Sequence, residues 1–328
     1  MSDIGLCLAP TRDALVVAAQ AAAAEQAGFT HVWVTDTQGL WRDAYVCLAL
    51  MADRTSTVKL GPMVTNVTTR HPTVTASAMA TLAEASGGRA VLGIGTGRSS
   101  VRLLGEREAP LAKLRQDVQG IRALFRGESI AVGDASFALD PGLAPADIPI
   151  YLSASGPRML RLAGEVGDGV IFVVGATPGL AAYAHEQIDR GAAHRQGDLA
   201  LPYRLHYVQC ALGASREEAI ELGRAMAGFQ LAQLTVPKTA YSSEQYSGGD
   251  YDYREHYSSD NLVRETVTAG QTQELVACGD VEHLTSRLVE LAQTGIDQLT
   301  LYPCGDMDDF IRACATSILP ALRRATSP

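Results

Sequence analysis

Hydrophobic residues along the chain form eight short runs, separated by longer segments in which apolar residues recur at helical spacing. Runs of this length, rich in β-branched residues, are typical of buried strands. They lie at Ile4–Leu8, His31–Thr35, Val58–Val64, Ala90–Ile94, Pro149–Ser153, Gly169–Val174, Tyr203–Leu212 and Gln298–Tyr302. Strands that alternate with helices predict a parallel sheet. Eight of them favour a single α/β domain over residues 1–328, a closed (β/α)8 TIM barrel, with an open doubly wound sheet as the alternative.

Helix boundaries are marked by capping and breaking residues. Thr11 is a candidate N-cap for an alanine-rich first helix that Gly28 ends. His71 and Pro72 open the third helix, since proline is tolerated in the first turn, and Gly87 follows its end. Other helices are predicted at Asp43–Asp53 and Leu111–Phe125, from Pro157 and from Pro178, and at Ser215–Leu234, Val281–Gln293 and Met307–Leu322. The turn-rich stretch 127–145 has room for a short hairpin.

Residues 235–277 break this alternation, and their first part is rich in Tyr, Ser, Gly and Asp. The segment is too polar for barrel core and too aromatic for a plain linker. We interpret it as an insertion that packs over the active-site face. Four tyrosines in it either line a substrate pocket or belong to a solvated loop or dimer contact: Tyr241, Tyr246, Tyr251 and Tyr253.

Composition and charge argue against several classes of protein. The 328 residues carry a net charge of −9 without a Lys/Arg cluster, which argues against a nucleic-acid surface. No apolar run reaches the roughly 18 residues that span a bilayer, and no secretory signal is visible. Six scattered cysteines without a Cys-x-x-Cys pair indicate buried reduced thiols and no metal site. A cytoplasmic enzyme is therefore expected.

The active sites of such barrels are built from the loops that follow the strands. The fourth strand leads into Gly95, Thr96 and Gly97, where glycines let the backbone approach a flat ring or a phosphate. The fifth strand leads into small residues that open a helix, and free N–H groups at a helix N-terminus favour phosphate. These residues are Ser153, Ala154, Ser155, Gly156, Pro157 and Arg158. The alternative is a plain strand-to-helix turn; Gly175 and Thr177 are further candidates for the same phosphate site.

The segment from Val58 to Gly97 contains the motifs LGPMVTN, TRHP, SGGR and LGIGTG. Together they resemble the signature region of the luciferase-like monooxygenases, a superfamily of (β/α)8 barrels. Its members include FMN-dependent monooxygenases and enzymes that use the deazaflavin F420, such as methylenetetrahydromethanopterin reductase and F420-dependent glucose-6-phosphate dehydrogenase. The motifs resemble the reductase-like, F420-using branch most closely. The resemblance covers about residues 1–230 and 278–325.

The resemblance implies a cofactor site at the end of the third strand. Family members carry a bulge there with a non-proline cis peptide that backs the ring, and by position it falls at Met63–Val64. Thr65 and Asn66 follow, and Asn66 can hydrogen-bond the edge of the ring or the substrate. The alternative for these two residues is ordinary turn chemistry. The family also binds the cofactor phosphate at the exit of the fifth strand, residues 153–158.

The resemblance also implies catalytic residues, with two departures. F420-dependent glucose-6-phosphate dehydrogenase has an Asp-His pair and a tryptophan after the second strand; Asp36 and Trp41 match, whereas Thr37 replaces the histidine. Trp41 can stack on a planar ring, the alternative being that Trp41 is core and Asp36 caps the second helix. Arg98 replaces an acidic glutamate. It would instead hold an anionic substrate or a cofactor phosphate, which argues against oxidation of glucose 6-phosphate. His206 either faces the barrel mouth or lies satisfied in the core.

Three functions stay open at this point. The first is an F420-dependent oxidoreductase, similar to methylenetetrahydromethanopterin reductase, that moves a hydride between the deazaflavin and a small organic substrate. The second is an FMN-dependent monooxygenase that uses O2 and reduced flavin from a separate reductase. The third is a flavin-binding barrel without turnover. By resemblance we also expect a homodimer through the second and third helices, with close packing allowed by Ala76, Ala78, Ala80 and Ala83.

Overall fold

A computed structural model of the protein describes residues 3–143, 147–197, 199–233 and 267–326. Its strands are β1 (Asp3–Leu8), β2 (His31–Val34), β3 (Lys59–Pro62), β4 (Thr65–Asn66), β5 (Leu92–Gly95), β6 (Ile130–Val132), β7 (Ala135–Phe137), β8 (Ile150–Ala154), β9 (Gly169–Phe172), β10 (Tyr203–Leu212), β11 (Ala277–Gly279) and β12 (Gln298–Cys304). Strands β6 and β7 pair as an antiparallel hairpin, and the other pairings are parallel.

Helices fill the connections between the strands. They are α1 (Ala14–Ala27), α2 (Ala44–Arg54), α3 (Pro72–Ala85), α4 (Ser99–Arg102), α5 (Leu111–Phe125), α6 (Pro157–Val166), α7 (Pro178–Ala192), α8 (Arg216–Gln233), α9 (Ala269–Leu275), α10 (Val281–Ala292), α11 (Met307–Ala313) and α12 (Leu319–Thr326). A π-helical segment, Cys314–Ile318, joins α11 to α12, where the sequence predicts one continuous helix. Within the described ranges, none of the helices combines the length and apolarity that a membrane crossing requires.

The parallel strands close into a barrel. The sheet runs in the order β3-β2-β1-β12-β10-β9-β8-β5-β4. Two backbone hydrogen bonds join its ends: Leu60 N donates to Arg89 O at 2.9 Å, and Val91 N donates to Leu60 O at 2.8 Å. A Cβ atom on Gly61 would collide with the carbonyl oxygen of Val91, so glycine is required for this approach. The predicted (β/α)8 barrel is confirmed.

Side-chain caps begin most of the helices, although not always at the predicted residue. The first helix is capped by Asp13, whose Oδ1 accepts a hydrogen bond from Leu15 N at 2.8 Å, so the prediction of Thr11 is wrong. Asp43 caps α2 and His71 caps α3. Gly28 ends α1 in the left-handed region, with φ of 100°, as its position predicts.

The end of the predicted insertion forms regular structure. Within residues 235–277, the described part begins at 267 and contains α9 and the start of β11, which pairs with β10. Thr268 and Gln271 form a capping box at the start of α9. The rest of that prediction, including the four tyrosines, lies outside the described residues.

Candidate functional site

The loops after the strands enclose a cavity of about 500 Å3 at the carboxyl end of the barrel. Ligand pockets typically occupy about 300–1,000 Å3. The predicted catalytic and cofactor-binding residues line this cavity, except for Thr65 and Asn66 and for the further candidates Gly175 and Thr177. Residues after β2, β3, β5 and β8 therefore meet at one place, as barrel geometry requires.

One side of the cavity is formed by what we call the small-residue wall, residues 95–97 and 153–156. Gly97 has φ of +77°, and a Cβ atom on it would lie 2.5 Å from Val101 Cγ2 and 2.9 Å from Asn66 Cβ. Gly95 is less crowded, since the nearest atom to its added Cβ would be Val64 Cγ2 at 3.4 Å. The wall thus presents backbone, with little side chain, to a ligand. The peptide bond Met63–Val64 beside it is cis, as the family resemblance predicts.

The small-residue wall ends at the N-terminus of α6. Gly156 is the N-cap and Pro157 the first helical residue, and no side chain caps this end. The backbone bond from Leu160 N to Gly156 O, 2.9 Å, begins the helical ladder. The N–H groups of Arg158 and Met159 precede it on a cavity-lining turn, where an anion could accept from them.

Two neighbouring candidates for the phosphate site do not line the cavity. Thr177 caps α7, accepting a hydrogen bond from Leu180 N at 3.3 Å. The carbonyl oxygen of Gly175 lies 2.9 Å from Nε2 of His206. Both residues are therefore engaged in structure, and their contribution to the phosphate site stays a prediction.

Thr65 and Asn66 lie behind the wall. The Nδ2 group of Asn66 donates to Thr69 Oγ1 at 2.9 Å and to Ser100 Oγ at 3.0 Å, while its Oδ1 accepts from the backbone of Thr68 and Thr69. These bonds use the amide fully. Asn66 thereby connects the segment after β3 to α4. Its amide has no hydrogen-bonding group left for the edge of a cofactor ring. The alternative of ordinary turn chemistry is therefore correct for Asn66.

A charged pair stands at the end of β2. The side chain of Asp36 is 3% exposed, and its Oδ2 lies 2.8 Å from Nη1 of Arg70. Arg70 also binds Asp43 Oδ2 at 2.6 Å and lies 4.4 Å from the ring centre of Tyr45. Burial lowers the pKa of Arg70, but Asp36, Tyr45 and Asp43 together raise it above its ordinary value. Asp36 is thus a cavity residue held by arginine; the alternative that it caps α2 is wrong, since Asp43 does so.

Trp41 lines the cavity from the loop after β2, so its placement in the core is also wrong. Its backbone N–H donates to Thr37 O at 3.2 Å, which closes a turn. Gln38 within that turn donates from Nε2 to the carbonyl oxygen of Ser100 at 2.6 Å. The turn that carries Trp41 is therefore anchored on α4, beside the cavity.

Arg98 lies beside a carboxylate that another arginine already holds. Its Nε is 3.9 Å from Oε1 of Glu108, whereas Arg102 binds both carboxylate oxygens, at 3.0 and 2.9 Å. Burial raises the pKa of Glu108, but the hydrogen bond from Arg102 and the charges of Arg102 and Arg98 bring it below its ordinary value. Arg98 remains a cation on the cavity, suited to an anionic group and unsuited to proton donation.

Residues on β10 and α8 form a further wall of the cavity, which we did not predict from the sequence. Tyr207 and Gln209 reach the cavity from β10, and Phe229 and Gln230 reach it from α8. Alternation along a strand turns every second residue inward. This two-residue alternation, applied to the polar positions of β10, could have identified Tyr207 and Gln209. Nothing local marks the two residues on α8.

His206 occupies the opposite face of β10. It is fully buried, stacks on Phe172 with 4.5 Å between ring centres, and bonds the Gly175 carbonyl. Burial lowers its pKa to about 4. The core alternative for His206 is therefore correct.

The described residues contain no group of three His, Cys, Asp or Glu side chains arranged for a metal ion.

Known proteins share this barrel. The family model of luciferase-like monooxygenases matches residues 9–298. A 5,10-methylenetetrahydromethanopterin reductase of Archaeoglobus fulgidus is 31% identical over 312 residues, covering 92% of this chain and 93% of the relative. The coenzyme F420-dependent tetrahydromethanopterin reductase of Methanopyrus kandleri has a similar structure, with TM-score 0.76, 24% identity and coverage of 98% of this chain and 99% of that chain. An F420-dependent secondary alcohol dehydrogenase in complex with an F420–acetone adduct is similar at TM-score 0.81 and 21% identity, with the same coverage. At these identities the two structures bear on the fold alone.

Proposed function

Because the chain belongs to the luciferase-like monooxygenase family, we propose that it is an F420-dependent oxidoreductase that transfers a hydride between the deazaflavin and a small organic substrate. The observation that carries the proposal is the meeting of a glycine-lined loop and an uncapped helix N-terminus on one cavity. The resemblance to F420-dependent reductases favours this cofactor over FMN. We propose only the class of substrate, a small organic molecule, and do not propose methylenetetrahydromethanopterin itself.

The residues present fit a planar ring that carries a phosphate. The N–H groups at the start of α6, with Arg158, would hold the phosphate. Met63, Val64 and Ile171 supply apolar surface for the ring, and Gly95 leaves room for close approach. When bound, F420 would donate or accept the hydride.

The other residues would prepare the reaction. Trp41, which lines the cavity, would shield a bound ring from water. Arg70 fixes the carboxylate of Asp36 through Oδ2, which leaves Oδ1 to accept or return a proton of the substrate. Arg98 and Arg158 would attract anionic groups to the side of the cavity that follows β5 and β8.

The proposal is tested by titrating the purified protein with F420 and with FMN and following fluorescence quenching. Binding of F420, followed by hydride transfer measured by absorbance, supports it. Binding of FMN without F420 would instead favour the FMN-dependent monooxygenase. Failure to bind either would remove both functions, and binding without any hydride transfer from the reduced cofactor would leave the non-catalytic barrel.

We also propose a homodimer that pairs through α2 and α3. Of the four alanines expected at this contact, Ala76, Ala80 and Ala83 are buried within the subunit, whereas Ala78 is half-buried. The exposed apolar residues on these helices are Val46, at 57%, and Val74, at 55%. Val74→Asp should therefore weaken a dimer measured by light scattering, whereas Leu201→Asp, at an exposed site on another surface, should not. A monomeric wild-type protein would contradict the proposal.

The proposed location is the cytoplasm. All six cysteines are free and five are buried, which suits a reducing compartment. Recovery of the natural protein in a secreted fraction would contradict this location.

A further inference from the structure

The wall formed by β10 and α8 lies across the barrel from the bulge after β3. Around the closed barrel, β10 is four strands from β3 in either direction, through β5, β8 and β9 or through β2, β1 and β12. If Met63 and Val64 back one face of the cofactor ring, the β10–α8 wall faces the other. Substrate must approach that open face, because the hydride leaves or arrives there.

Two buried glutamine side chains on this wall hold each other. Gln209 and Gln230 are 3% and 5% exposed, and both line the cavity. Nε2 of Gln230 donates to the carbonyl oxygen of Leu275 at 2.9 Å and to Oε1 of Gln209. These two bonds use both N–H groups of Gln230 and fix the orientation of the two amides.

One donor and one acceptor remain on the pair. Among the described residues, no protein group bonds Nε2 of Gln209 or Oε1 of Gln230, although both side chains are more than nine-tenths buried. Both residues line the cavity, so a bound ligand can reach these two atoms. A ligand that presents an acceptor beside a donor would satisfy both atoms.

The charges around the cavity indicate what that ligand group is. The described charged residues that line it, Asp36, Arg98 and Arg158, follow β2, β5 and β8. The cavity residues on or directly after β9 and on β10 and α8 are uncharged: Ile171, Val173, Tyr207, Gln209, Phe229 and Gln230. A carboxylate or phosphate on this side would have no described cation beside it, and a neutral polar group loses less on leaving water.

We propose that Gln209 and Gln230 recognise the substrate through a neutral group with an acceptor and a donor side by side, such as an amide or an alcohol hydroxyl. The acceptor receives the N–H of Gln209, and the donor bonds Oε1 of Gln230. This inference rests on the proposed function, because it assumes that the cofactor occupies the opposite side of the cavity.

The test uses acetamide as the probe and acetate as its anionic counterpart, with binding to the full chain measured by ligand-observed NMR in the presence of F420. Gln209→Leu removes both the carbonyl oxygen and the NH2 group of Gln209. Gln209→Glu keeps an acceptor for Gln230 and removes the donor, but adds a negative charge; it is therefore read with the neutral acetamide probe, and it serves where the leucine variant does not fold. Gln187→Leu is the matched control, because Gln187 is 4% exposed on α7, bonded to Arg161 and away from the cavity.

We expect the wild-type protein and Gln187→Leu to bind acetamide in preference to acetate, and both Gln209 variants to bind acetamide about tenfold more weakly. Equal binding of acetamide by variants and wild type, preference for acetate, or no acetamide binding by the wild type would each overturn the inference. A change in F420 affinity without a change in acetamide affinity would assign the pair to the cofactor and also overturn it. Failure of the proposed function is distinct, since it requires that the wild type bind neither F420 nor FMN.

Discussion

The two sides of the cavity are built in different ways. The small-residue wall consists of contiguous residues at the ends of β5 and β8, and it acts through backbone groups and missing side chains. The rest of the lining includes polar side chains, after β2 and on β10 and α8, whose orientation depends on distant partners. Asp36 is held by Arg70, and Gln209 by Gln230 and, through it, Leu275. The small-residue wall does not depend on distant partners, but it has no space for a side chain at Gly97. The polar side chains depend on their partners for their orientation.

The largest effect should come from removing the partner of Asp36. Arg70→Met leaves a carboxylate whose side chain is 3% exposed without its ion pair, and we expect a loss of about 3–4 kcal/mol in the free energy of unfolding. Urea unfolding measures it. Arg190→Met, which breaks a pair exposed on both sides, is the control and should cost less than about 1 kcal/mol. Equal losses in the two variants would contradict the dependence of this side on its partner.

A pH effect should come from the outer face of β10. His206 has a pKa of about 4 because of burial, whereas an unfolded chain has about 6.5. Between these values the unfolded chain binds a proton that the folded chain excludes. Stability is therefore fully present above about pH 6.5 and falls toward pH 4, by up to about 3 kcal/mol.

The variant His206→Gln checks this assignment. It keeps an N–H donor for the Gly175 carbonyl but does not titrate. Urea unfolding at a series of pH values should give a flatter profile for the variant than for the wild type. Profiles that run parallel from neutral pH to about pH 4 would show that another group is responsible.

Substitution of two glycines in the small-residue wall should distinguish an effect on stability from an effect on cofactor binding. Gly97→Ala places a side chain in the left-handed region and against Val101, so we expect a loss of about 2 kcal/mol in stability. Gly95→Ala has room for its methyl group in the protein alone, and its melting temperature should stay near that of the wild type. The same methyl group enters the cavity, so the affinity for F420 should fall. If both variants lose only stability, the wall does not bind the cofactor.

The smallest effect concerns Arg158, an exposed cation in the first turn of α6. Arg158→Ala should weaken F420 binding by about 0.5 kcal/mol, and the difference should shrink as salt is added, because exposed charges are screened. Fluorescence titration at low and high ionic strength measures it. Arg126→Ala, an exposed arginine at the far end of α5, should change nothing. A loss that persists in high salt would show that Arg158 makes a closer contact than an exposed one.

Much of the fold followed from the sequence because its signals are local. Gly28 ends α1 and His71 caps α3 as predicted, since a left-handed residue or a first-turn proline needs only its neighbours. The face of α3 was harder. Val74, Ala78, Leu82 and Ala85 recur at helical spacing and predict the buried face. Yet Val74 is 55% exposed, while Thr75 is 1% exposed. Alanine-rich helices carry little contrast between their faces, so packing decides the orientation.

The sequence by itself determined the alternation of strands and helices and the glycine-rich and small-residue exits of β5 and β8, because period, turn conformation and helix N-termini depend on adjacent residues. Only the tertiary structure decided the pairing of Asp36 with Arg70, 34 residues apart, and of Gln230 with the Leu275 carbonyl, 45 residues apart. It also placed Asn66 behind the wall instead of on it. A side chain's partners are set by which strands and helices become neighbours, and barrel closure brings together atoms that no local pattern relates.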